Sequence, residues 1–163
     1  GLTSATATTN VARLEGFQAA IEANYPGIEI VDVAYSESNP QTAASNVDNW
    51  LTKYPNLDGI FAIDGTNASG AAAALQAKNL VGKIALVGYD AYPANVELIK
   101  SGVFTALIAQ DPAEEARQAI RTLVEFIKNG TKPSARDVVI PNVILDANTS
   151  AEDLAKYTYV ANN

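Results

Sequence analysis

The chain has 163 residues, 48% of them hydrophobic, enough for one ordinary domain with a real core and too apolar for a disordered chain. A formal net charge of −7 and a pI near 4.5 exclude a nucleic-acid partner, which needs clustered Lys and Arg, and argue against docking on anionic lipid. With no Cys and no His, disulfides, thiolate or imidazole metal sites, Ser-His triads and a His general base are ruled out, and no cofactor or metal is expected.

Thr8, Thr9 and Asn10 offer capping oxygens before a helix carrying Val11, Leu14, Phe17, Ala20 and Ile21, which runs to about Asn24. Pro26-Gly27 ends it, and Ile28, Ile30, Val31 and Val33 predict a strand. Ser38-Asn39-Pro40 opens a second helix over Ala43, Val47, Trp50 and Leu51, ended near Tyr54-Pro55; Trp50 reads as core. Ile60, Phe61 and Ile63 predict the next strand, followed by a turn at residues 65–67 and a helix over 68–78. Ile84, Leu86 and Val87 form a strand running into Gly88-Tyr89-Asp90. Pro93 opens a short helix through Lys100, closed by Ser101-Gly102, and residues 104–109 form a further strand. Asp111-Pro112 starts a long helix to Lys128, stopped by Asn129-Gly130. Residues 138–145 are extended and broken at Pro141, and residues 149–163 read as a weakly held helix or tail after a ligand-binding lobe over 1–148. Strands alternating with helices predict an α/β fold, a three-layer αβα sandwich on a mainly parallel sheet with right-handed crossovers.

In such sheets ligands bind outside the carboxyl ends of the strands. Those ends carry Tyr35 to Ser38, then Asp64, Gly65, Thr66 and Asn67, then Asp90, Ala91 and Tyr92, then Gln110 and Asp111. Carboxylates and amides match paired hydroxyls of a polyol, and Arg13, early in the first helix at the same edge, can donate bidentately. The candidate ligand-binding set is therefore Arg13, Asp64, Asn67, Asp90, Tyr92 and Gln110. The bland reading is that Asp64, Asp90 and Asp111 cap helices, Arg13 is a solvated charge and the tyrosines pack. Convergence of polar groups at nearly every strand end favours the ligand reading. Gly-x-Gly-x-x-Gly and P-loop patterns are missing. Asp64 and Asp90 carry no sign of an acid–base pair, so the chain reads as a non-enzyme.

Arg13-Leu14-Glu15-Gly16-Phe17, Tyr54-Pro55-Asn56-Leu57-Asp58-Gly59-Ile60-Phe61-Ala62, Gly70-Ala71-Ala72-Ala73-Ala74-Leu75, Val87-Gly88-Tyr89-Asp90 and Ile108-Ala109-Gln110-Asp111-Pro112 follow one another in a familiar order. Together they resemble the C-terminal lobe of type I periplasmic sugar-binding proteins of the ribose-binding branch, from Arg13 to about Asn148. The resemblance implies a two-lobed clamp with three hinge crossings that captures a monosaccharide or polyol for an ABC importer. It implies an N-terminal lobe and a transporter permease as partners, and a periplasmic or extracellular location, lipid-anchored or secreted. It assigns Arg13 and Asp90 to the sugar and Gln110 to the hinge. Where the family has an Asn-Asp pair this chain has Asp64-Gly65, and the family's aromatic before the second helix is replaced by residues 36–39. Lac-repressor-type regulators share the core, so an effector-sensing regulator core is the alternative.

The sequence contains no Met, which points to a processed or excised chain. The resemblance places a central strand immediately before Gly1, between the strands at 28–33 and 58–63. Its loss exposes two edges, so something is expected to replace it: a polypeptide carrying the first lobe, a swapped segment of a second copy, or residues 2–8.

Overall fold

The computed structural model describes residues 1–160; residues 161–163, the end of the expected tail, lie outside the described residues. The elements in chain order are β1 (Leu2–Thr3), α1 (Thr8–Asn24), β2 (Ala34–Tyr35), α2 (Pro40–Lys53), β3 (Gly59–Phe61), α3 (Gly65–Ala77), β4 (Ala85–Tyr89), α4 (Pro93–Lys100), β5 (Ala106–Ala109), α5 (Pro112–Asn129), β6 (Val143–Asp146) and α6 (Ala151–Tyr157). Helix starts follow local chemistry. Side-chain oxygens of Asn39, Asp64, Asp111 and Ser150 accept from the backbone N–H three residues on, and proline opens α2, α4 and α5 where no amide partner is needed. Capping by Asp64 makes residues 65–67 the first turn of α3 rather than a separate turn.

β3, β4 and β5 pair in parallel, and β6 closes the sheet antiparallel to β5. Alternation along the strands sorts side chains to two faces. On one, Phe61 meets Phe17 of α1 with ring centroids 4.8 Å apart. On the other, Leu86 and Leu107 are fully buried, and Gly88 lets the strand approach Ala68 of α3: a Cβ there would lie 2.9 Å from the Ala68 methyl. α1 and α3 thus cover opposite faces of a mainly parallel sheet. α2 and α3 pack equally closely, since a Cβ on Gly70 would overlap the Pro40 carbonyl.

Two elements depart from expectation. Residues 28–33 are extended but join no ladder, because β1 reaches only Ala34 and Tyr35. They are held instead from α2: the Tyr54 hydroxyl donates to the Val31 carbonyl (3.1 Å) and Lys53 pairs with Asp32 (3.1 Å). Leu2 alone spans the gap, pairing with Ala34 on one side and Ala62 on the other, so residues 2–3 supply one end of the central strand. Below Leu2 lies a cavity of about 1060 Å³, walled by Gly1, residues 27–32 and 53–61, Arg13, Phe17 and Ile21 of α1, Trp50 of α2, and Val87 and Tyr89 of β4. The second element is α5. It forms where Asp111-Pro112 and Asn129-Gly130 predict a helix, but it buries no residue and so adds nothing to the layers of the expected sandwich; Ile120, Leu123 and Ile127 are 62%, 57% and 71% exposed.

Candidate functional site

α3 organises the carboxyl edge of the sheet. Its N-terminus holds two carboxylates, where the free N–H groups and the helix dipole favour negative charge. Asp64 Oδ1 accepts from Asn67 N (2.8 Å), and Oδ2 accepts from Asn10 Nδ2 (2.7 Å), Ser38 Oγ (2.8 Å) and Asn67 Nδ2 (3.0 Å). Asn67 has no exposed surface, and its amide oxygen accepts from Ser36 Oγ (2.6 Å). These contacts fill the roughly four acceptor positions of a carboxylate, so Asp64 and Asn67 brace the rim from beneath. Asp90 differs. It adopts a left-handed backbone (φ 66°), unusual without glycine, which turns its carboxylate back over α3. Oδ2 accepts from Gly65 N (3.1 Å) and Oδ1 from Gln110 Nε2 (2.7 Å).

Arg13 lies across the ends of β3 and β4. Its Nη1 donates to the Ile63 carbonyl (3.0 Å) and its guanidinium sits 3.6 Å from the Tyr89 ring centroid, a cation–π stack. One of five N–H donors is committed by that bond, and the stack fixes the plane of the rest. Tyr92, 41% exposed, opens α4 and lies over Gly65, where any Cβ would overlap its ring. Burial pushes the Tyr92 phenol above its ordinary pKa, and the Asp90 and Asp64 charges add to the shift against Arg13.

A family model described as periplasmic binding protein domain matches residues 3–132. The chain belongs to the periplasmic binding protein family. Among relatives of this periplasmic binding protein domain, the D-ribose/D-allose-binding protein of Pseudomonas aeruginosa is 28% identical over 134 residues, 82% of this chain and 41% of that protein. The D-allose-binding periplasmic protein of Escherichia coli is 32% identical over 82 residues, 50% of this chain and 26% of its own. A solute-binding protein from Actinobacillus succinogenes with bound D-allose superposes with a TM-score of 0.80 at 28% identity, covering 96% of this chain and 53% of its own. One from Agrobacterium radiobacter in complex with D-arabinose gives 0.86 at 24%, covering 97% and 54%, a likeness of fold. The chain spans about half the length of these solved structures and less of the curated relatives.

The periplasmic binding protein domain brings all six sequence-derived candidates to one edge. Arg13, Tyr92 and Gln110 are exposed or half-buried there; Asp64 and Asp90 are each 8% exposed and Asn67 is fully buried, so hydrogen bonding and not depth distinguishes the two acids. Sequence reasoning missed Asn10, read as a cap but 4% exposed and bonded to Asp64; its three-residue spacing from Arg13 on α1 was the available signal. It placed Ser36 and Ser38 at a strand end but left them out of the candidate set, and it missed Tyr159. The last was assigned to the tail, yet its backbone N–H donates to the Ala91 carbonyl (2.9 Å), its hydroxyl oxygen accepts from Gln110 N (2.9 Å), and its ring meets Tyr92 edge-on at 5.9 Å. Among the described residues no group of three or more acidic, His or Cys side chains could hold a metal, and no helix is long and apolar enough to cross a membrane.

Proposed function

We propose that this chain is the C-terminal lobe of a solute receptor that captures a monosaccharide or polyol and hands it to the permease of an ABC importer, in the periplasm or at the cell surface. It binds and does not catalyse. The observation that carries the reading is the convergence of Arg13, Asp90, Tyr92 and Gln110 on one edge: a cationic fork, a carboxylate, an aromatic face and an amide, the donors and acceptors a ring of hydroxyls needs. The names of the relatives, which include allose and ribose binders, favour the same class of solute.

A companion lobe supplies the other half of the contacts, and closure between the lobes removes water and strengthens each polar contact. The exposed stripe of α5 is a surface for that companion to cover, and the cavity below Leu2 is a slot for an extended segment between residues 28–33 and 59–61.

The test is titration of the chain with D-ribose, D-allose, D-xylose and L-arabinose, followed by NMR. The expected result is millimolar or weaker binding with shifts confined to Arg13, Asp90, Tyr92 and Gln110, tightening about a hundredfold or more when a companion lobe is joined to it. Micromolar affinity of the chain alone overturns the shared-site mechanism. Absence of shifts at the rim with every sugar, in the lone and the joined form, overturns the sugar reading.

A further inference from the structure

The C-terminal segment returns to the rim in a way that neither the fold nor the family match assigns. Leu154 of α6 is 8% exposed and joins the core, anchoring the helix. Two residues past α6, Tyr159 lies beside Ala91 through its backbone and beside Tyr92 through its ring. Its hydroxyl takes the Gln110 backbone N–H (2.9 Å) and donates toward Asp90 Oδ1 (3.4 Å), across 69 residues of sequence. Gln110 Nε2 reaches the same Asp90 oxygen (2.7 Å). The three residues form a closed loop of hydrogen bonds around the one rim carboxylate that is not saturated from beneath.

We propose that Tyr159 is a positioning residue of the solute rim, a clasp that fixes the Asp90–Gln110 pair and limits which acceptor of Asp90 is left for a guest hydroxyl. This inference rests on the sugar reading for its guest but not for its geometry. A carboxylate has about four acceptor positions. Gly65 N takes one on Oδ2, and Gln110 Nε2 and Tyr159 share Oδ1, which leaves the unfilled position on Oδ2. Without the phenol hydroxyl the Gln110 amide loses its acceptor, Oδ1 regains a free position, and the pair gains freedom to rotate. Burial followed by the Asp90 charge holds the Tyr159 phenol above its ordinary pKa, partly offset by its bonds to Gln110 and Ala91, so it stays protonated and able to donate at neutral pH.

The test compares the unmodified chain with Tyr159→Phe, which keeps the ring, and with Lys156→Ala on the exposed side of α6 as control. In hydrogen-exchange NMR, Tyr159→Phe is expected to speed exchange of the Gln110 amide about tenfold relative to Leu107 and Ala109, and to shift the Gln110 side-chain amide, with a near-unchanged unfolding midpoint. In titrations with D-ribose and D-allose it weakens binding by about three- to tenfold, and it adds no further loss in an Asp90→Asn background. Lys156→Ala does none of this. Unchanged Gln110 exchange overturns the clasp. Faster exchange with unchanged sugar affinity makes Tyr159 a structural anchor and overturns the positioning role. Should neither sugar shift the rim of the unmodified chain, alone or joined to a companion lobe, the sugar reading fails for these two solutes, and the two Gln110 signals still decide whether Tyr159 holds the pair.

Discussion

Asp64 and Asp90 sit two contacts apart on the same helix end, and their partners give them different jobs. Asp64 receives four hydrogen bonds, three of them from side chains of α1, the β2–α2 loop and α3. Truncating it leaves Asn10 and Asn67, 4% and 0% exposed, with donors that no water reaches. Asp64→Ala is therefore expected to cost about 3 kcal/mol, the sum of a lost cap and a buried donor left unpaired, read as a lower urea midpoint with unchanged slope. Asp90→Ala should cost less stability and more affinity. The sequence placed both acids correctly at strand ends, because strand, turn and cap chemistry are local. It could not separate them, because saturation depends on Asn10 and Ser38, which lie 54 and 26 residues away. Tyr159 was out of reach for the same reason: nothing in its neighbours signals a bond to Gln110, 49 residues upstream.

Among elements, those with caps and an internal partner were legible. The Asn39-Pro40, Pro93 and Asp111-Pro112 starts fall where the residues put them. Residues 28–33 carry the pattern of a strand but lack the neighbour that turns an extended segment into one, and pattern encodes only the side-chain half of that requirement. The same gap buries the Gly1 ammonium, which donates to the Asp32 carbonyl (3.0 Å) where a peptide N–H would continue the ladder. Burial lowers its pKa from 8.0 to about 6, against an opposing pull from Asp32. Between those values the unfolded chain holds the proton and the folded chain has released it, so stability rises with pH through that window. Below the window both forms are charged and the full penalty stands; above it both are neutral. The expected gain is on the order of 2 kcal/mol from the lower to the upper end, measured by urea unfolding, and acetylation of the N-terminus should flatten it.

The whole molecule is a finished carboxyl rim on an open body. Its core is continuous from Leu2 to Leu154, yet an entire amphipathic helix and one end of the central strand face outward. α5 leaves the sheet immediately after Gln110 and Asp111, and β6 returns to pair with β5, so the chain makes an excursion out of the lobe and back at the level of the rim. In the proposed receptor that geometry lets the second half pack on α5 and share the same edge. A sequence pattern reports that a helix has an apolar side, not whether the surface it fits belongs to the same chain.

Trp50 is the only tryptophan in the sequence, and it stands in the wall of the cavity below Leu2 while being 5% exposed. The protein therefore carries its own optical gauge of that space. A short apolar peptide that enters the slot seats against the wall that Trp50 forms, and the emission should change in intensity with a saturable dose response.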